Sequence, residues 1–113
     1  MNFERMGQFT NRLIAIDSVT PREAEKMKFI EQELQTRGLT TRRLSVCGER
    51  FNLLASLPGA SPRLLFNTHV DTVAPRYGPH EDERRIYGRG ACDTHGILAA
   101  FMEAFDVLVS GGL

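Results

Sequence analysis

The sequence predicts an α/β fold, with part of a mixed sheet flanked by helices. Three observations carry this. Two amphipathic helical stripes open the chain. A period-two pattern follows them, together with one continuous apolar run suited to a strand covered on both faces. A third apolar helical stripe closes the sequence.

Met6, Phe9, Leu13 and Ile16 recur at helical spacing and predict a helix from about Phe3 to Asp17. Ser18-Val19-Thr20-Pro21 interrupts it. Thr20 with Glu23 three places on reads as a capping box, and Pro21 sits where a first helical turn accepts it. Ala24, Met27, Ile30 and Leu34 then carry a stripe to Arg37, where Gly38 supplies the stop. Leu44 and Val46 alternate with polar neighbours, as in an edge strand. Cys47-Gly48-Glu49-Arg50 is a turn, and Phe51, Leu53, Ala55 and Leu57 mark a second strand. Pro58 to Pro62 breaks it, and Arg63 to Val70, with Leu64-Leu65-Phe66 at its centre, is the expected buried strand. Ala74 to Arg85 reads as a loop and Ile86-Tyr87 as a short strand. Leu98, Phe101, Met102 and Phe105 predict a last helix ending near Ser110-Gly111-Gly112.

Composition narrows the function classes. The 113 residues suit one domain. Counting glycine, the apolar share is ~49%, an ordinary globular value. Fourteen basic residues balance fourteen acidic ones with no basic block, which argues against a nucleic-acid partner. Two cysteines, Cys47 and Cys92, are too few for a disulfide scaffold and fit a reducing compartment. The apolar run Ile97 to Met102 is far too short to span a bilayer, and the N-terminus has charges where a signal peptide needs an apolar core. The expectation is a cytoplasmic domain with no membrane and no nucleic-acid partner.

Two segments carry the chemistry: Asn67-Thr68-His69-Val70-Asp71-Thr72-Val73 and Tyr87-Gly88-Arg89-Gly90-Ala91-Cys92-Asp93-Thr94-His95-Gly96. In an extended chain residues two apart share a face, so His69 and Asp71 stand side by side where a strand runs out into a loop. A carboxylate holding one imidazole nitrogen leaves the other for a metal. Alone, such a pair is also compatible with a solvated strand-end histidine beside a turn aspartate. Asp93 follows a glycine-rich loop that could bring its carboxylate to a second element. Taken alone, Asp93 is more economically an N-cap of the helix behind it. A phosphate-binding loop fails at this position, because Asp93 replaces the third glycine with a negative charge.

Together, Leu64 to Val73 and Tyr87 to Asp93 resemble the M20 family of metallopeptidases and deacylases, which includes acetylornithine deacetylase, succinyl-diaminopimelate desuccinylase, aminoacylase-1 and carboxypeptidase G2. The resemblance covers essentially the whole chain. It implies the catalytic-domain fold of dinuclear zinc exopeptidases and two divalent metal ions, Zn first, with Co or Mn acceptable to the same donors. It also implies that His69 ligates one metal, that Asp93 bridges both, and that Asp71, usually counted as catalytic, orients His69. A cis peptide between Asp93 and Thr94 is implied too. The expected substrate is an N-acyl amino acid or small peptide, and the expected full-length form is a homodimer.

The departures from the family pattern are specific. A downstream Glu-Glu pair (general base and ligand), later acidic and histidine ligands, and the inserted dimerisation domain have no counterpart in residues 1–113. The expectation is the N-terminal part of a catalytic domain, inactive alone. Glu103 lies about two and a half turns into the last helix and is not promoted to base. His95 stands where many relatives have Lys; it is expected to be solvated, with a third-ligand role as the alternative. The stretch from Asp71 to Asp93 is short and lacks the Trp-containing segment of many members. Cys92 is expected to be a small buried residue rather than a nucleophile, and His80 and Arg84-Arg85 are expected to be solvated. The competing functional reading is a non-catalytic remnant with weak single-metal binding or a partner-packing role.

Overall fold

The computed structural model describes residues 1–112. Helix α1 spans Phe3–Ala15, and the Asn2 side chain caps it by accepting the Arg5 backbone N–H at 2.9 Å. Helix α2 spans Ala24–Thr36. Its N-terminus is not the capping box expected from Thr20 and Glu23. Val19 to Arg22 form a turn, closed by the Arg22 N–H on the Val19 carbonyl at 2.8 Å, and Pro21 lies in that turn rather than in the helix. The Glu23 carboxylate instead takes two hydrogen bonds from Arg50, at 2.9 and 3.0 Å, which ties the start of α2 to the hairpin. At the other end the Gly38 N–H bonds the Gln35 carbonyl and the Leu39 N–H the Leu34 carbonyl. With Gly38 at φ +83° this is the Schellman stop that the sequence calls for.

Strands β1 (Thr40–Cys47) and β2 (Arg50–Ser56) form an antiparallel hairpin, in register from Thr40 opposite Ser56 to Ser45 opposite Phe51, with an irregularity between Ser45 and Cys47. Strands β3 (His80–Glu81) and β4 (Ile86–Tyr87) form a second, minimal one. A wide turn over Ala91–His95 leads into helix α3, Gly96–Ser110. The core is helical: Phe9 and Leu13 of α1, Ile30 of α2, and Leu98, Ala99 and Met102 of α3. Buried Glu103 of α3 fastens α1 by accepting from Arg5 Nε and, at 2.9 Å, from the Asn2 backbone N–H.

The chain is thus mixed α/β, but its strands make two separate antiparallel ladders rather than one mixed sheet. Arg63 to Val70 is not the buried strand that its composition predicts. It carries no strand pairing, and Leu64 and Leu65 are 63% and 75% exposed. A central strand needs ladder partners on its edges and covering layers on its faces. Phe66, stacked on Phe101 of α3 with ring centroids 4.9 Å apart, and Val70, packed against the helical core, begin such a layer. Pairing resumes at Thr72, which forms an isolated parallel bridge with Val19. No helix among the described residues is long and apolar enough to cross a membrane.

Candidate functional site

The site is built where the end of the 63–72 run meets the turn before α3. The bridge at Val19 sets the first wall: the Thr72 N–H bonds the Ser18 carbonyl at 2.9 Å and the Thr20 N–H bonds the Thr72 carbonyl at 3.1 Å. Ser18 Oγ donates to the Val70 carbonyl at 2.7 Å. This holds the backbone extended through residues 69–71, so His69 and Asp71 fall on one face. His69 Nδ1 lies 3.1 Å from Asp71 Oδ1.

The second wall is the Ala91–His95 turn. Gly90 enters it at φ +84°, and a Cβ there would stand 2.6 Å from His95 Nε2, so only glycine fits without displacement. The His95 N–H closes on the Gly90 carbonyl at 2.8 Å. Inside the turn Asp93 is extended, at φ −119° and ψ 91°, and the Asp93–Thr94 peptide is cis, as the resemblance implies. Thr94 Oγ1 donates to the His69 carbonyl at 2.6 Å and lies 2.8 Å from Thr68 Oγ1, which latches one wall to the other. The outcome is a direct meeting of His69 Nε2 with Asp93 Oδ1 at 3.0 Å.

His69, Asp71 and Asp93 are therefore brought together, with half-exposed to open side chains of 48%, 52% and 83% accessibility. Burial pulls the His69 imidazole down, but the Asp93 hydrogen bond and the Asp71 carboxylate outweigh it and hold its pKa above the usual value. The N-cap alternative for Asp93 does not hold: α3 starts after His95, without a side-chain cap.

Other expectations need correction. His95 is fully buried rather than solvated, because the turn rolls it inward onto Gly90 and Lys26. Its Nε2 lies 2.6 Å from Lys26 Nζ, and its Nδ1 has no partner among the described residues. Burial first, then the nearby Lys26 and His69 cations, lowers its pKa to about 4. Cys92 is exposed, since the same roll turns it outward. His80 and Arg84-Arg85 are exposed as expected. Glu103 is occupied by Arg5 and Asn2 and has no part in the site.

Sequence reasoning missed Lys26 and Ser18. Lys26 is 1% exposed, and burial lowers its ammonium pKa to about 8. The signal was present, since 26, 30 and 34 follow one another at i, i+4 on the apolar face of α2.

What these side chains can do is limited and definite. They offer one imidazole nitrogen and one carboxylate oxygen converging on a point, with the imidazole braced from behind. Among the described residues no group of three or more His, Cys, Asp or Glu is arranged to hold a metal.

Comparison with known proteins places these features. Residues 65–112 match the family model described as Peptidase family M20/M25/M40. Curated relatives include a succinyl-diaminopimelate desuccinylase of Caulobacter vibrioides, 37% identical over 86% of this chain and 27% of that protein. A putative LysW-lysine/LysW-ornithine hydrolase of Thermococcus kodakarensis is 34% identical over 89% of this chain and 28% of its own length. A probable carboxypeptidase of Aspergillus clavatus is 32% identical over 96% of this chain and 27% of its own length. The chain thus spans little more than a quarter of the relatives it matches, and the matched segment carries both walls of the site. The chain belongs to the M20/M25/M40 peptidase family.

Proposed function

We propose that this chain is the N-terminal part of the catalytic domain of a cytoplasmic, metal-dependent amidohydrolase that cleaves N-acyl amino acids or small peptides. The observation that carries the proposal is the convergence of His69 Nε2 and Asp93 Oδ1 at 3.0 Å, with Asp71 on the other ring nitrogen. A nitrogen and an oxygen that already face each other at 3.0 Å would need to move little to share one ion. A nitrogen and a hard oxygen suit Zn, and also Co or Mn. The residues present fit the metal that the family uses.

In this reading His69 and Asp93, the latter the more exposed of the two, would hold metal. The bound metals supply activation of water and polarisation of the scissile amide carbonyl. Asp71 accepts the Nδ1–H of His69, which fixes the tautomer, would leave the Nε2 lone pair for a metal held between His69 and Asp93, and raises the basicity of the ligand. Thr94 and Thr68 keep the two walls at ligand distance. The described residues offer no carboxylate placed to take the proton from water, so the general base and the remaining ligands are assigned to the rest of the full-length protein. The 113 residues alone are expected to turn over no substrate. The names of the relatives point to acylated amino acids as the substrate class, deacylation of the acetylornithine type being one member.

The test is made on the full-length protein with His69→Ala and Asp93→Ala. Each is expected to lower metal content and abolish hydrolysis of acylated amino acids. Parental activity and metal content in either variant would refute the assignment.

A further inference from the structure

Lys26 is a buried cation that the reading above does not use. Its ammonium is carried into the interior by α2, 1% exposed, and no carboxylate pairs with it among the described residues. Such a group is costly to bury, and an apolar side chain of similar length would fill the same space without that cost. What Lys26 does hold is specific. Its Nζ donates to Ser18 Oγ at 2.7 Å and meets His95 Nε2 at 2.6 Å. An ammonium has only donors, so the neutral His95 ring accepts through Nε2. Ser18 Oγ, having accepted from Lys26, donates to the Val70 carbonyl at 2.7 Å. Val70 is the residue between His69 and Asp71, and His95 lies two residues after Asp93.

Each of the two segments that carry the proposed ligands is therefore tied by one polar link to the same nitrogen. The 69–71 segment is tied through Ser18, and the 91–95 turn through His95. These ties lie on the buried side of both segments, whereas the Thr68–Thr94 latch joins them directly.

We propose that Lys26 is a positioning residue, whose buried ammonium cross-links the 69–71 segment to the 91–95 turn and so sets the distance between His69 and Asp93. This rests on the metal-site reading of those two residues. Lys26 touches neither the ligands nor substrate. It acts through Ser18 and His95, and its loss frees the two walls to drift apart rather than removing a donor.

The test uses the full-length protein, with zinc affinity measured by competition against a chelating indicator and the visible spectrum of the Co(II)-loaded form. Lys26→Met keeps length and apolar stem but has no donor. Loss of a residue that orients metal ligands typically costs ~10–100-fold in affinity, so a loss of at least about tenfold and an altered Co(II) spectrum are expected. Ile30→Ala, one turn along the same helix and in the same core, is the control. It is expected to lower the denaturation midpoint while keeping parental affinity and spectrum.

Parental affinity and spectrum in Lys26→Met overturn the proposal, as does an equal loss in Ile30→Ala. If Lys26→Met does not fold, Ser18→Ala cuts one arm and carries the test: weakened zinc binding supports the cross-link and parental binding overturns it. His69→Ala separates the two levels. If it binds metal as the parent does, the metal-site reading fails and the Lys26 role falls with it. If His69→Ala is impaired while Lys26→Met is parental, the Lys26 role alone fails.

Discussion

Replacing Gly90 with alanine should destabilise the protein more than the same change at Gly38, and the difference measures how tightly the turn before α3 is packed. The two positions are matched in backbone, at φ +84° and +83°. An alanine forced into the left-handed region costs about 1–2 kcal/mol at either place. They differ in surroundings. A Cβ at Gly38 meets nothing within 4 Å. A Cβ at Gly90 meets His95 Nε2 at 2.6 Å, His95 Cδ2 at 2.8 Å and Thr72 Cγ2 at 3.0 Å. The His95 ring is fully buried and held by Lys26, so it has no solvent into which to swing. Overpacking of that kind adds about 1–3 kcal/mol, giving roughly 2–5 kcal/mol in total for Gly90→Ala. Urea denaturation of both variants beside the parent, with slopes compared to exclude altered denatured states, supplies the numbers. If the two variants agree to within about 0.5 kcal/mol, His95 is not clamped against Gly90 and the reasoning about the turn is wrong.

Two further outcomes are expected. The Arg5 hydrogen bond, followed by the Asn2 backbone N–H, holds the Glu103 carboxyl below its ordinary value of 4.5. A carboxyl lowered on folding contributes stability above that ordinary value and loses it as pH falls through the lower folded value. Glu103→Gln should therefore lower the urea midpoint at pH 7 and flatten the decline below about pH 4.5; an unchanged acid limb would contradict the Arg5–Glu103 clamp. Asp71→Asn should leave metal content near that of the parent while lowering kcat by roughly 10–100-fold, because the imidazole is less firmly held. Full activity, or loss of the metal, would remove Asp71 from that role.

Much of the helical architecture is legible in the sequence because it is governed by local signals. The Leu34–Gly38–Leu39 stop and the α3 stripe of Leu98, Met102 and Phe105 need no distant partner to be read. The meeting of His69 with Asp71 is equally local, two residues apart on an extended chain. What escaped is non-local. Glu23 reads as part of a capping box until Arg50, brought over by the hairpin, claims its carboxylate. The Leu64–Leu65–Phe66 run has the composition of a covered strand, but composition does not supply the neighbours that would pair it. A histidine in a regular first helical turn is expected in solvent, and a cysteine with no activating partner is expected in the interior as a small apolar residue. The wide turn over Ala91–His95 rotates the chain and exchanges the environments of His95 and Cys92. Lys26 was hidden by its charge, since periodicity counts apolar residues and passes over a cation in their midst.

The connection from Thr72 to Gly90 has a further consequence. Its ends are pinned, by the Val19–Thr72 bridge at one and by Arg89 at the other, whose N–H bonds the Tyr77 carbonyl and whose side chain bonds the Pro75 carbonyl at 2.9 Å. Between these anchors the β3–β4 tip at Asp82 to Arg85 is exposed. Lengthening an exposed tip is thermodynamically mild, about 0.6 kcal/mol for each doubling of a flexible loop. Insertions at Glu83-Arg84 can therefore accumulate without transmitting displacement to His69 or Asp93. The molecule keeps its site geometry and its room for added length in separate stretches of chain, so length change between Asp71 and Asp93 is a poor guide to whether the site has been lost.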